Sequence, residues 1–376
     1  MRVRRGRASR GRGRQRGFTL IELMVALVVS SLLVGMIFAI FIRMSVAYRG
    51  QQQVAEVQSK LAAARARIEA DARQAGLAMA DGFYTAALGP GIRRSPLRVI
   101  DHADAPDEVA FYYADTAVQA ATVVQNGACT RRQCNKLDST EGFAVGDVVV
   151  MSTVSWVDPG GPGAAKIARF EACLFQLTDV GASSFELSQD PPWGSPGNDF
   201  CPTNPLPGTT MFFKLAARHW RIDPTRPADG VLQLSKLGAL VGVDDWQDQA
   251  YGFTDLQVAT RFFEPGDPTD TPDPGLDRER DWYSGPDQES ATAPAAAFAR
   301  VPIQISVSLV ARTERDVEGI ASSSTPSLTE PGNDANNTIG NRAAIPLPSA
   351  LPELAGDRVF RYTTFQIDLR NLGVGR

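Results

Sequence analysis

From Phe18 to Ile42 the chain runs for 25 residues with a single charge, Glu22. As a helix this run would extend about 37 Å, enough to cross a hydrocarbon layer of about 30 Å with some tilt. A carboxylate inside such a segment is costly, roughly 2.5–3.5 kcal/mol on insertion scales. Glu22 is therefore a functional candidate by position alone. Residues 1–17 hold eight arginines and no acid. Basic residues ahead of a span stay on the cytoplasmic side, so the chain beyond Arg43 is expected outside the inner membrane. An Arg/Gly-rich run can bind nucleic acid. Joined directly to an apolar span, it reads instead as the flank that sets orientation.

An ordinary secretory signal has a shorter apolar core and a small-residue cleavage site behind it. Here Arg43, Tyr48 and Arg49 follow the run. The candidate cut lies ahead of it, at Gly17–Phe18, and would leave the helix in the mature chain. Arg16-Gly17-Phe18-Thr19-Leu20-Ile21-Glu22-Leu23 resembles the class III signal of type IV prepilins and type II secretion pseudopilins. That pattern is Gly, then Phe or Met, then Glu four residues on. The resemblance implies cleavage after Gly17 by a prepilin peptidase and N-methylation of Phe18, which keeps the charge of the new ammonium. It also implies that Glu22 pairs with the Phe18 ammonium of a neighbouring subunit. Either charge alone is costly in lipid; together, in low dielectric, they attract and set register. The partners implied are other minor and major pilins, the peptidase, an inner-membrane assembly platform and the lipid bilayer, with no nucleic acid. A cytoplasmic ATPase would drive extrusion.

Removing the leader takes the formal charge from −4 to −12. A mildly acidic exported part gives no support for nucleic-acid binding. About 300 residues follow the helix, enough for one large domain or a domain with an insertion. A part this large would crowd its neighbours along a thin filament, which favours a low-copy, minor subunit. Four cysteines, Cys129, Cys134, Cys173 and Cys201, suggest disulfides in an oxidising compartment. Three pairings are possible. Cys129–Cys134 with Cys173–Cys201 is favoured because each closes a local loop. Zinc and free thiols are the rivals; with only His102 and His219 and no Cys-x-x-Cys, no metal site is expected.

No proline precedes Pro90, so one helix from Phe18 to about Leu77 is allowed, with bends at Gly35 and Gly50 and an end near Gly76. Residues 18–42 would be its transmembrane half and 43–78 its amphipathic half. Val54, Val57, Leu61, Ala64 and Ile68 recur at spacings of three and four, one stripe to bury against the chain's own domain. Residues 79–376 read as β-rich. Strands are expected at 108–114, 145–154, 167–178, 211–222, 231–237 and 255–263. Val301, Ile303, Ile305, Val307 and Leu309 alternate with polar residues or proline, as Phe365, Ile367 and Leu369 alternate with polar ones, at the period of a strand with one buried face. Loops are expected at 189–208, 264–297 and 322–353, from their Pro, Gly, Ser and Asn content.

Three segments near the end resemble the closing segments of PilW-type minor pilins: Phe253–Val258, Ile305–Thr313 and Arg358–Asn371. The last, with Leu369-Arg370-Asn371, is also similar to J-type pseudopilins. No catalytic constellation is present. Gly194-Ser195-Pro196-Gly197 lacks a nucleophile elbow's spacing, and Gly160–Lys166 lacks that of a phosphate loop. Asp267, Asp270, Asp273, Asp277, Glu279 and Asp281 are oxygen-rich, as calcium loops are, but match no EF-hand; no cofactor is expected. The reading is an α+β, pilin-like fold: a long N-terminal transmembrane and amphipathic helix packed on an antiparallel β-rich domain with long loops. Its work would be pilus assembly rather than catalysis. A type II secretion pseudopilin or a tip adhesin are the alternatives.

Overall fold

The computed structural model describes residues 19–79, 82–84, 93–100, 102, 105–125, 129, 133–157, 167–188, 208–236, 245–263, 282–283, 301–314, 338–339, 342–343, 358–369 and 371. The chain divides into two units, Met1–Gln52 and Gln53–Arg376. One helix, α1 (Leu20–Gln74), contributes to both. It has no proline and is rich in Ala, Leu and straight-chain polar residues, all good helix formers. The helix continues through Gly35 and Gly50. It stops at Gln74, as the glycine two residues on suggests: Gly76 takes φ 82°, which only glycine adopts without strain.

In the second unit the strands are β1 (Phe83–Tyr84), β2 (Arg93–Arg94), β3 (Leu97–Ile100), β4 (Glu108–Ala114), β5 (Ala121–Thr122), β6 (Gln133–Asn135), β7 (Val148–Val157), β8 (Ile167–Val180) and β9 (Ser184–Leu187). They continue with β10 (Met211–Ile222), β11 (Leu232–Ser235), β12 (Gln247–Ala250), β13 (Phe253–Phe263), β14 (Trp282–Tyr283), β15 (Val301–Arg312), β16 (Thr338–Ile339), β17 (Arg342–Ala343) and β18 (Phe360–Asp368). The larger sheet follows the path β12-β11-β10-β7-β8-β1-β2, with β3, β4, β5, β6 and β9 attached beside it. Its pairings are antiparallel except that of Tyr84 with Cys173 between β1 and β8. The smaller sheet has the order β14-β13-β15-β18. The three closing segments singled out by resemblance therefore lie side by side in one sheet.

The helix stripe faces both sheets. Val57, Leu61, Ala64 and Ile68 are buried, and the stripe extends to Ala72 and Ala75. Against it lie Phe111 of β4, Trp220 of β10, Leu256 and Val258 of β13, Ile305 and Val307 of β15, and Phe365 and Ile367 of β18. β10 is the seam of the larger sheet. Its first half pairs with β5 and β7, and its second half with β4 and β11. Phe212, in the first half, belongs to a second core with Phe143, Val149, Phe175 and Phe185.

Several boundaries differ from expectation. β7 starts at Val148 rather than Val145, because Gly146, at φ 91°, and Asp147 form a turn first. β8 runs on to Val180, β13 begins at Phe253, β15 continues to Arg312 and β18 begins at Phe360. The expected loops fall mostly outside the described residues. Within them, Trp282–Tyr283 pairs with β13 and β16 pairs with β17.

Candidate functional site

The first turn of α1 holds the residue that the sequence marks out. Thr19 precedes the helix and Glu22 is its third residue, the S/T-x-x-E spacing of a capping box. The geometry matches. The Glu22 amide donates to Thr19 Oγ1 at 3.3 Å, and the Thr19 amide and hydroxyl both donate to Glu22 Oε2 at 3.0 Å. Two helix-terminal donors that have no intrahelical partner are thus satisfied locally, and the carboxylate lies at the positive end of the helix dipole. Both bonds fall on Oε2; among the described residues Oε1 accepts none. Sequence reasoning treated Glu22 as a bare charge and missed this box, although Thr19-Leu20-Ile21-Glu22 spells it.

The apolar half behind it is laid out as a surface. Residues from Leu20 to Met44 present large apolar side chains outward; Leu20 is 78 % exposed and Phe41 is 68 %. The most apolar stretch has none of its residues buried and is long enough to cross a membrane. Its two serines do not break that character. Ser30 Oγ donates to the Ala26 carbonyl at 2.7 Å and Ser31 Oγ to that of Val28 at 2.9 Å, so neither hydroxyl needs water.

Gly17 and Phe18, the expected cut and new terminus, lie outside the described residues. Cys129 and Cys134 are joined by a disulfide and are buried in the second core. Closing so short a loop is worth about 2 kcal/mol in the chain-entropy account. Cys173 is also disulfide-bonded; Cys201 lies outside the described residues, as does the acidic cluster from Asp267 to Asp281. Among the described residues no group of three or more His, Cys, Asp and Glu side chains is arranged to hold a metal ion.

Both histidines of the chain meet one carboxylate. His219 Nε2 lies 2.7 Å from Glu108 Oε2 and His102 Nε2 lies 3.3 Å from Glu108 Oε1. Burial pushes the Glu108 carboxyl up, but the imidazoles, His219 first, hold it below its usual range. Through the His219 contact the cluster pins β4 to β10.

The family described as "Prokaryotic N-terminal methylation motif" matches residues 12–38. The match spans the expected cleavage point, Glu22 and most of the apolar run, and it supports a type IV pilin-like chain anchored by one N-terminal helix. No curated protein and no solved structure matches the chain.

Proposed function

We propose that the chain is a minor pilin of a type IV pilus, of the PilW type. It is cleaved after Gly17, methylated at Phe18, and held in the inner membrane with its β-rich part in the periplasm. From there it joins other minor pilins in a priming or tip complex. One observation carries the reading: a prepilin-like signal opens a helix whose first half is apolar and exposed and whose second half is a packing face of the chain's own sheets. The first half suits lipid and then the helices of other subunits. The second carries a bulky part suited to a low-copy position. The open Oε1 of Glu22 fits the pairing role, because a neighbour's Phe18 ammonium could dock there without breaking the local cap.

A type II secretion pseudopilin would share the same signal, and the Leu369-Arg370-Asn371 ending keeps that reading alive. Glu22→Ala tests assembly. The variant should remain in the inner membrane and be depleted at least tenfold from sheared pili. Normal recovery in the sheared fraction would overturn the role. Photo-crosslinking from Leu27 then separates the two systems by which pilins or pseudopilins it captures.

A further inference from the structure

We infer that Arg43, Tyr48 and Arg49 form a belt that binds the anionic phosphates of phospholipid headgroups in the leaflet facing the β-rich part. The inference rests on the membrane-spanning reading of α1. No acid occurs between Glu22 and Glu56, so Arg43 and Arg49 have no carboxylate within a helical turn. Among the described residues neither takes part in an ion pair. Further along the same helix Lys60 pairs with Glu56 at 3.0 Å and Arg65 with Glu69 at 3.0 Å, while Arg67 donates to the Gln249 side-chain oxygen at 2.8 Å. The two uncompensated cations stand at the border of the apolar run. Both side chains are exposed, and Tyr48 beside them is 69 % exposed.

The spacing suits a headgroup layer. Six residues of helix separate Arg43 from Arg49, about 9 Å along the axis. The polar layer on each side of a bilayer is roughly 5–8 Å thick. Arg43 would lie at the hydrocarbon edge, its stem in apolar surroundings and its head turned outward. Arg49 would reach the outer phosphates, with Tyr48 at the level where amphipathic rings collect. Arginine suits this partner because its planar fork bonds phosphate oxygens in pairs. These cations stand on the side where the orientation rule disfavours positive charge. The eight-arginine leader overrides that rule, which leaves Arg43 and Arg49 available for lipid.

The test uses the full chain in phosphatidylcholine bilayers carrying spin-labelled phosphatidylglycerol or spin-labelled phosphatidylcholine. The wild type should immobilise the anionic probe in preference to the zwitterionic one. Arg43→Gln with Arg49→Gln should reduce that preference, by up to about 5-fold for each arginine, while Arg43→Lys with Arg49→Lys keeps most of it. The leader is identical in all three proteins, so the difference reports the belt. An unchanged preference in the glutamine variant overturns the inference. So does loss of the wild-type preference on adding soluble glycerol phosphate, which would point to a free phosphate ligand. Extraction by alkaline carbonate separates the two levels. A chain that leaves the vesicles refutes the membrane span; a chain that stays but shows no arginine-dependent preference refutes the belt alone.

Discussion

Asp71 shows how one side chain can join the helix to the larger sheet. Its Oδ1 accepts from the Tyr113 hydroxyl and its Oδ2 from Trp220 Nε1, both at 2.9 Å, and Arg218 lies 3.9 Å away. Burial raises its carboxyl above the ordinary value despite these donors. Burial first, and then the Asp71 charge, also raises the Tyr113 phenol. Asp71→Ala would leave two donors without an acceptor and should cost about 2–4 kcal/mol in urea unfolding of the full chain in detergent. Asp71→Asn keeps one acceptor oxygen and should cost less. The sign of the pH effect follows from the raised value. The carboxyl's contribution is fully present below its unfolded pKa, near 3.8, and is lost as pH rises through the folded one. Wild-type stability should therefore lose a component between acid and neutral pH that Asp71→Asn lacks. Equal pH slopes for the two proteins would refute this.

At the scale of elements, the helix stripe and the β10–β11 turn make separate predictions. Ile68 is fully buried among both sheets, so Ile68→Ala should destabilise by about 2–5 kcal/mol, read by denaturant unfolding. Leu27→Ala, on the exposed apolar half, should leave the β-rich unit's transition unmoved. In the turn, Asp223 accepts from the Thr225 amide and hydroxyl and from Arg226 Nε, and Arg226 reaches Asp248 at 2.8 Å. Burial works against the Asp223 carboxylate, but the Thr225 hydroxyl and Arg226 hold it below its usual value. The bonds from Arg226 and then Gln233 bring Asp248 down to about 2. Stability from lowered carboxyls is present above their unfolded value, near 3.8, and is lost as pH falls through the folded ones. Arg226→Gln should therefore melt below wild type at pH 6, and the two should converge as pH drops from about 4 toward 2.

At the scale of the whole molecule, what could be read beforehand was what periodicity encodes. The stripe from Val57 to Ile68 buries one face where its spacing places it. The alternation from Val301 to Leu309 does form a strand, but Ser306 and Ser308 are as deeply buried as Ile305, Val307 and Leu309, so both of its faces are covered where one was expected. The short strands were hidden because their partners create them. β12, Gln-Asp-Gln-Ala, has no apolar alternation and exists through its pairing with β11. β6 is a three-residue strand held by β9 and closed by the Cys129–Cys134 bridge. Asp71 was equally illegible: a carboxylate in an amphipathic helix reads as solvated until Tyr113 and Trp220 arrive from strands far along the chain. Asn371 is the clearest case. Legible only as part of a familiar ending, it donates its side-chain amide to the Arg73 carbonyl at 2.9 Å, covering one of the helix's terminal acceptors.

That bond also imposes an order of events. The helix precedes every named strand along the chain, but its stripe is walled by β13, β15 and β18, and its end is closed by Asn371. Until the last strand has emerged, roughly 300 residues later, the earliest-made element is the one least covered. Its apolar stripe therefore stays open until β18 is in place, and a chain cut short before that strand should leave the stripe exposed to proteases.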